Sequence, residues 1–276
     1  MLGPEFIRNA LLAGTFIALA CGVSGWFVVL RGQMFAGDAL SHVAFPGALA
    51  AASAGIDERV GLFAATVAVG AGIGALGRGV ITGGGRMLGA SPSEDTAIGT
   101  TFTVILGLGV FFLTRLSMSP SGGSGIQGAH TLFGSIFGLA AGEARLAAVI
   151  ALAATLLTAA IGRPLLFASV APDVAAARGV PTRLLAVGFA ALLGVVAAEA
   201  TQAVGALLLL GLLAAPAAAA HRIAKAPYAG VALAGLFAVL AMWGGLALAY
   251  VIPSLPPSTA IVVIAVGIYC ASSVLA

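Results

Sequence analysis

The sequence predicts an all-α fold: a polytopic transmembrane helix bundle of about eight or nine spans. Three observations carry this. First, 61% of the 276 residues are hydrophobic and only 8% are charged, with a mean hydropathy of +1.16; soluble domains carry about 25% charged residues, so this chain cannot cover a soluble surface with polar groups. Second, apolar runs near the length of about 20 residues that crosses a bilayer recur along the whole chain. Third, the 39 glycines and many alanines suit helices that associate in lipid by close van der Waals packing. The length fits one transmembrane domain over residues 1–276.

The runs fall at 10–30, 36–55, 60–77, 96–115, 145–162, 184–198, 203–220, 229–251 and 258–275. Within 184–220 the apolar character is broken only by Glu199, Thr201 and Gln202, which read as a solvated polar turn between two short spans. Residues 1–9, with Pro4, Glu5 and Arg8, read as an amphipathic lead-in along the interface. No basic segment precedes the first apolar run, so no cleavable signal peptide is expected. Cys21 and Cys270 lie in apolar runs and imply neither a disulfide framework nor a zinc knuckle.

Lys/Arg asymmetry sets the expected orientation. Arg31, Arg78, Arg86, Arg163, Arg178, Arg183, Arg222 and Lys225 fall on one side, expected to be cytoplasmic; Arg8, Arg59, Arg115 and Arg145 fall on the other. Nine spans then place the N-terminus outside. The formal net charge of +3 forms no basic stripe, so nucleic acid is not an expected partner.

Three inter-span segments stand out: a Gly-rich loop at 78–95, a Ser/Gly/Pro-rich loop at 116–130 followed by a possible re-entrant TLFGSIFG, and the more polar 164–183. In the last, Pro172 opens a short helix with Asp173 in its first turn and Arg178 near its end. Glu94 and Asp95, after Ser91 and Ser93, read as the first turn of the fourth span, suited to the helix dipole.

The residues with the clearest chemistry are in GDALSHVAFPG, 37–47. Asp38 and His42 are four apart and share a helical face. A carboxylate inside a span costs about 2.5–3.5 kcal/mol unless something offsets it, and an oxygen and a nitrogen donor on one face suit a borderline divalent cation such as zinc or manganese. The plainer alternative makes Asp38 a helix cap near the interface and His42 a packing residue. Pro46 and Pro216, each inside a span, favour kinks that shape a cavity. Two ligands make a poor selective site; a two-fold homodimer would supply four.

Other chemistries fit less well. Lys225 is the single lysine, so no G-x-x-x-x-G-K-[ST] phosphate loop exists, and ATP hydrolysis by that route would need a separate chain. There is no HExxH. Gly122-Gly123-Ser124-Gly125, with His130 and His221 elsewhere, matches an intramembrane serine protease motif, yet Ser124 sits in a flexible-loop composition. His221 and Arg222 read as part of a positive cytoplasmic turn.

At these residues the chain resembles the permease subunits of the ABC-3 family of bacterial zinc, manganese and iron-chelate importers. The matching segments, in order, are GDALSHVAFPGALAA (37–51), SEDTAIG (93–99), LFGSIFG (132–138), LLFASVAPDVAAARGVP (165–181) and VGALLLLGLLAAPAAAA (204–220). The resemblance implies a homodimeric permease in a bacterial cell (inner) membrane. Its implied partners are two cytoplasmic ATP-binding subunits, an extracellular or periplasmic metal-binding protein, a second copy of itself and the lipid bilayer. It implies that Asp38 and His42 contact the transported metal, and that 165–180 is the coupling helix region, where Pro172, Asp173, Ala176, Arg178 and Gly179 would meet the ATPase. Where the family often has Asp-Pro-Glu, this chain has Ala171-Pro172-Asp173-Val174.

The expected function is therefore that of a non-enzymatic permease subunit for ATP-driven import of a divalent transition metal, zinc first and manganese next. No cofactor is bound permanently, and the ATP is used by the partner subunit. The rivals are an ATP-independent secondary metal transporter, which would carry more intramembrane acids, the protease, and a structural scaffold that leaves Asp38 and His42 unexplained.

Overall fold

A computed structural model describes residues 4–76, 92–117, 134–206 and 209–275. The described residues form long helices α1 (Glu5–Leu30), α2 (Met34–Ser53), α3 (Glu58–Leu76), α4 (Pro92–Ser117) and α5 (Ala141–Ala160), then short helices α6 (Gly162–Val170) and α7 (Pro172–Ala177). The long helices α8 (Thr182–Val204), α9 (Leu209–Ile223), α10 (Pro227–Val251) and α11 (Pro257–Leu275) follow. Each expected span has its long helix. Six of them (α1, α3, α5, α8, α10 and α11) are long and apolar enough to cross a bilayer, and α4 and α9 carry shorter apolar stretches. The loop 78–91, the segment 118–131 with Ser124 and His130, and Leu132 and Phe133 lie outside the described residues.

Two boundaries differ from the sequence reading. Glu5 and Arg8 belong to α1 itself: Pro4, held at φ −74°, precedes the helix directly, so among the described residues they form no separate lead-in. The polar cluster at 199–202 is no turn either. α8 runs through Glu199, Thr201 and Gln202 and stops at Val204, where Gly205 takes φ +92°, a conformation that glycine adopts without a Cβ penalty.

The core of the bundle is α1. It packs on α5, α8, α9 and α10, while α3 lies along α8, α2 along α3, α4 along α2, and α11 along α9 and α10. Because lipid tails are as apolar as leucine, association rests on close approach, and the contacts show it. A Cβ at Gly25 of α1 would collide with the carbonyl of Leu213 in α9. One at Gly47 of α2 would fall 2.7 Å from the Gly61 carbonyl of α3. Pro46 and Pro216 are buried inside helices that continue past them.

The two ends of the bundle are chemically distinct. At one end the Arg31 guanidinium lies 5.5 Å over Phe189, His221 stacks on Trp26, and α6 and α7 pack beside α8. At the opposite end residues 134–139 close over the end of α8. The Ser135 N–H donates to the Gln202 carbonyl at 3.0 Å, Asn9 Nδ2 donates to the Leu139 carbonyl at 3.3 Å, and Ile136 is buried. This turn, Ile136–Gly138, is a short 3-10 helix rather than a spanning segment.

Candidate functional site

Asp38 and His42 sit in the first turns of α2, towards the arginine-rich end. Between Gly37 and Leu49 every residue is buried except these two. Their side chains keep 31% and 17% of their exposure, and Asp38 Oδ1 lies 3.9 Å from His42 Nε2. That is too long for a hydrogen bond, so the two donor atoms stand side by side on α2 without bonding each other. The backbone helps hold the turn: Ser41, fully buried, donates its hydroxyl to the Asp38 carbonyl at 2.6 Å. The i, i+4 spacing thus delivers the shared face expected of it. Among the described residues no group of three or more His, Cys, Asp or Glu is placed to hold a metal. Cys21 is buried in α1 and Cys270 is exposed on α11; the two do not form a disulfide.

At the same end, α7 is a short helix with a defined start and stop. Pro172 is its first residue and Asp173 lies in its first turn. The chain then leaves through a Schellman motif: Val180 N–H donates to the Ala175 carbonyl and Gly179 N–H to the Ala176 carbonyl, both at 3.0 Å, with Gly179 at φ +80°. Arg178 is the C-cap rather than a last-turn residue. Ala175 is buried against the bundle, whereas Asp173, Ala176, Arg178 and Gly179 are exposed and Pro172 is half-buried. Val170, Val174 and Leu184 add apolar surface here, exposed by 67%, 50% and 70%.

Two polar contacts were not foreseen. Glu199, expected in a solvated turn, is 1% exposed, and its Oε1 accepts from Arg59 Nη2 at 2.7 Å. His221, expected in an open turn, lies in α9, stacks on the Trp26 ring at 4.7 Å and 9°, and places Nε2 3.0 Å from the Trp26 carbonyl. In both cases the partner is far along the chain, so local composition carries no sign of it.

Residues 4–276 match the family model described as the ABC 3 transport family. The chain belongs to the ABC 3 transport family. It is thus the membrane permease subunit of an ABC-type metal importer, a multi-pass protein of a bacterial membrane, and not itself the catalytic subunit. Such a permease works with an ATPase and a solute-binding protein. Family membership removes the ATP-independent carrier and the protease as readings. The ABC 3 permease is similar to the manganese transport system membrane protein MntC of Halalkalibacterium halodurans, 29% identical over 89% of this chain and 79% of that protein. It is also similar to the manganese import system permease protein ScaB of Streptococcus parasanguinis, 28% identical over 89% of this chain and 82% of that one. Among solved structures, PsaBC from Streptococcus pneumoniae in complex with Fab matches with a TM-score of 0.82 and 27% identity over 98% of this chain and 91% of that chain.

Proposed function

We propose that this permease imports manganese, and that Asp38 and His42 are the transient ligands the ion meets on its way through. The observation that carries the site is the burial pattern of α2, in which the two metal-capable residues alone stay open along a run of thirteen positions, 37–49. The choice of metal moves from the zinc-first expectation to manganese because MntC and ScaB, named for manganese, are similar to this chain along most of its length. The donor set, carboxylate and imidazole without thiolate, is compatible with manganese and does not itself separate it from zinc. A second copy related by a two-fold axis would bring Asp38 and His42 of both subunits together and complete the shell.

The exposed face of α7 and its neighbours, with Pro172, Asp173, Ala176, Arg178 and Gly179, is the surface we assign to the ATPase. Val170 and Val174, exposed beside charged residues on the short helices at the arginine-rich end, form apolar surface that a protein partner would cover. ATPase closure would push α6 and α7, and through α8 tilt the bundle between its two open states.

The test is uptake into proteoliposomes holding the permease, its ATPase and its binding protein, with manganese, zinc and iron offered separately and together, with and without ATP. ATP-dependent manganese uptake that zinc fails to outcompete, lost in Asp38→Ala and His42→Ala, is the expected result. Zinc uptake at manganese concentrations that leave manganese outside would overturn the choice of metal. Unchanged uptake in both alanine variants would overturn the site.

A further inference from the structure

We infer that the Arg59–Glu199 pair is a positioning device: it fixes the axial register of α3 on α8, and with it the placement of α2 and its two metal-facing residues. The last clause rests on the proposed role of Asp38 and His42; the first stands without it.

Beyond Leu62 and Phe63, which pack near Ala198 at the Arg59 end, the α3–α8 interface is lined by small residues. A Cβ at Gly70 would strike the Ala190 carbonyl, one at Gly74 would fall 2.7 Å from Val187 Cα, and one at Gly194 would fall 2.5 Å from the Thr66 carbonyl. The small residues repeat every four positions on both helices: Thr66, Gly70 and Gly74 on α3, and Ala186, Ala190, Gly194 and Ala198 on α8. Sliding the antiparallel pair by four residues, about 6 Å, sets Gly70 against Gly194, Gly74 against Ala190 and Thr66 against Ala198. Small residues again meet small residues, so the glycine stripe permits close approach without choosing one register.

Arg59 and Glu199 break that degeneracy. They join the two helices at the end opposite the arginine-rich one, through a directional 2.7 Å bond. The pair is poorly built for stability alone. Glu199 is 1% exposed, yet its Oε2, the Arg59 Nε and the nearby Thr201 Oγ1 are buried without hydrogen-bond partners among the described residues. Desolvation of a pair satisfied on one side only offsets much of its attraction, and apolar replacements of buried pairs are often neutral or stabilising. Fixing register is the best-attested use of such pairs. The Asp57 side chain steadies the arrangement by accepting from the Arg59 backbone N–H at 2.8 Å, and the Arg59 guanidinium lies 5.9 Å over Phe63. The α2–α3 hairpin transmits the position. A short turn at 54–57 joins the two helices, and their backbones touch at Gly47 and Gly61, so a slipped α3 carries Asp38 and His42 with it.

The experiment uses the whole transporter with Cys21 and Cys270 replaced and spin labels at exposed Val60 of α3 and Leu184 of α8. Pulsed dipolar distances are measured in three versions: unaltered, Arg59→Met with Glu199→Leu, and the charge swap Arg59→Glu with Glu199→Arg. Glu199→Gln serves if the apolar pair fails to assemble. The expected result is one distance for the unaltered pair, a second population displaced by about 6 Å in the apolar or amide version, and one distance again in the swap. ATP-driven manganese uptake should fall about tenfold in the slipped version and recover in the swap, while ATP hydrolysis and assembly persist. An unmoved distribution would overturn the register role. A displaced distribution with unaltered uptake would overturn its reach to the metal path. An Asp38→Ala control that transports normally would instead count against the metal site, leaving the distances to judge the register by themselves.

Discussion

Two polar pairs in this bundle answer different demands. Asp38 and His42 lie on one helix, with Asp38 Oδ1 3.9 Å from His42 Nε2. Arg59 and Glu199 lie on two helices 140 residues apart in sequence, with the Glu199 carboxylate sealed away and a bond of 2.7 Å. The first pair makes no direct bond between its members; the second is closed on itself. In a chain where a polar group must be either satisfied internally or used, a bond reaching across two helices marks a structural pair, whereas two donors on one helix with no direct bond between them fit the proposed transport role.

The largest effect expected from breaking this contrast is functional. His42→Ala and Asp38→Ala should each lower ATP-driven manganese uptake by up to about 100-fold, while the midpoint of thermal unfolding in detergent stays put, because both side chains are partly open and neither fills a core. A shifted midpoint with retained uptake would move the open pair into the structural class. Next comes Glu199→Ala, which strands Arg59. Losing one partner of a buried pair costs about 3–5 kcal/mol; Arg59 keeps 20% exposure, so a loss of about 2 kcal/mol in unfolding free energy is expected, and Arg59→Met in the same chain should recover part of it. Gly25→Ala drives a methyl into the Leu213 carbonyl and should cost about 1–3 kcal/mol by overpacking, read in the same melts. The smallest effect belongs to Thr15→Val, which removes the 2.9 Å bond from Trp243 Nε1; interhelical bonds in lipid average about 0.6 kcal/mol, so a shift barely above error is expected.

Much of the fold was legible because lipid imposes a simple rule on sequence. Long apolar runs had to become helices, and each of the nine did. The open pair was legible too, since its two members are four residues apart and their relation is local. What failed to show was long-range. Glu199, Thr201 and Gln202 look like a turn by composition, but Arg59 reaches Glu199 from another helix, so α8 carries on to the true stop at Gly205. His221 looked like one more residue of a basic turn because nothing nearby announces the Trp26 ring beneath it. The register pair is invisible for the same reason: each half is an ordinary charged residue until the fold brings them together.

The exposed Val170, Val174 and Leu184 around α7 have a consequence for how the transporter is made in the cell. With the ATPase seated there, as proposed, an assembled permease would hide this patch. A permease synthesised in excess would leave Val170 and Val174 uncovered, as the kind of unburied apolar surface that chaperones bind and quality-control proteases remove. The same few side chains would then act as a proofreading mark, sparing only those permeases that have found their motor.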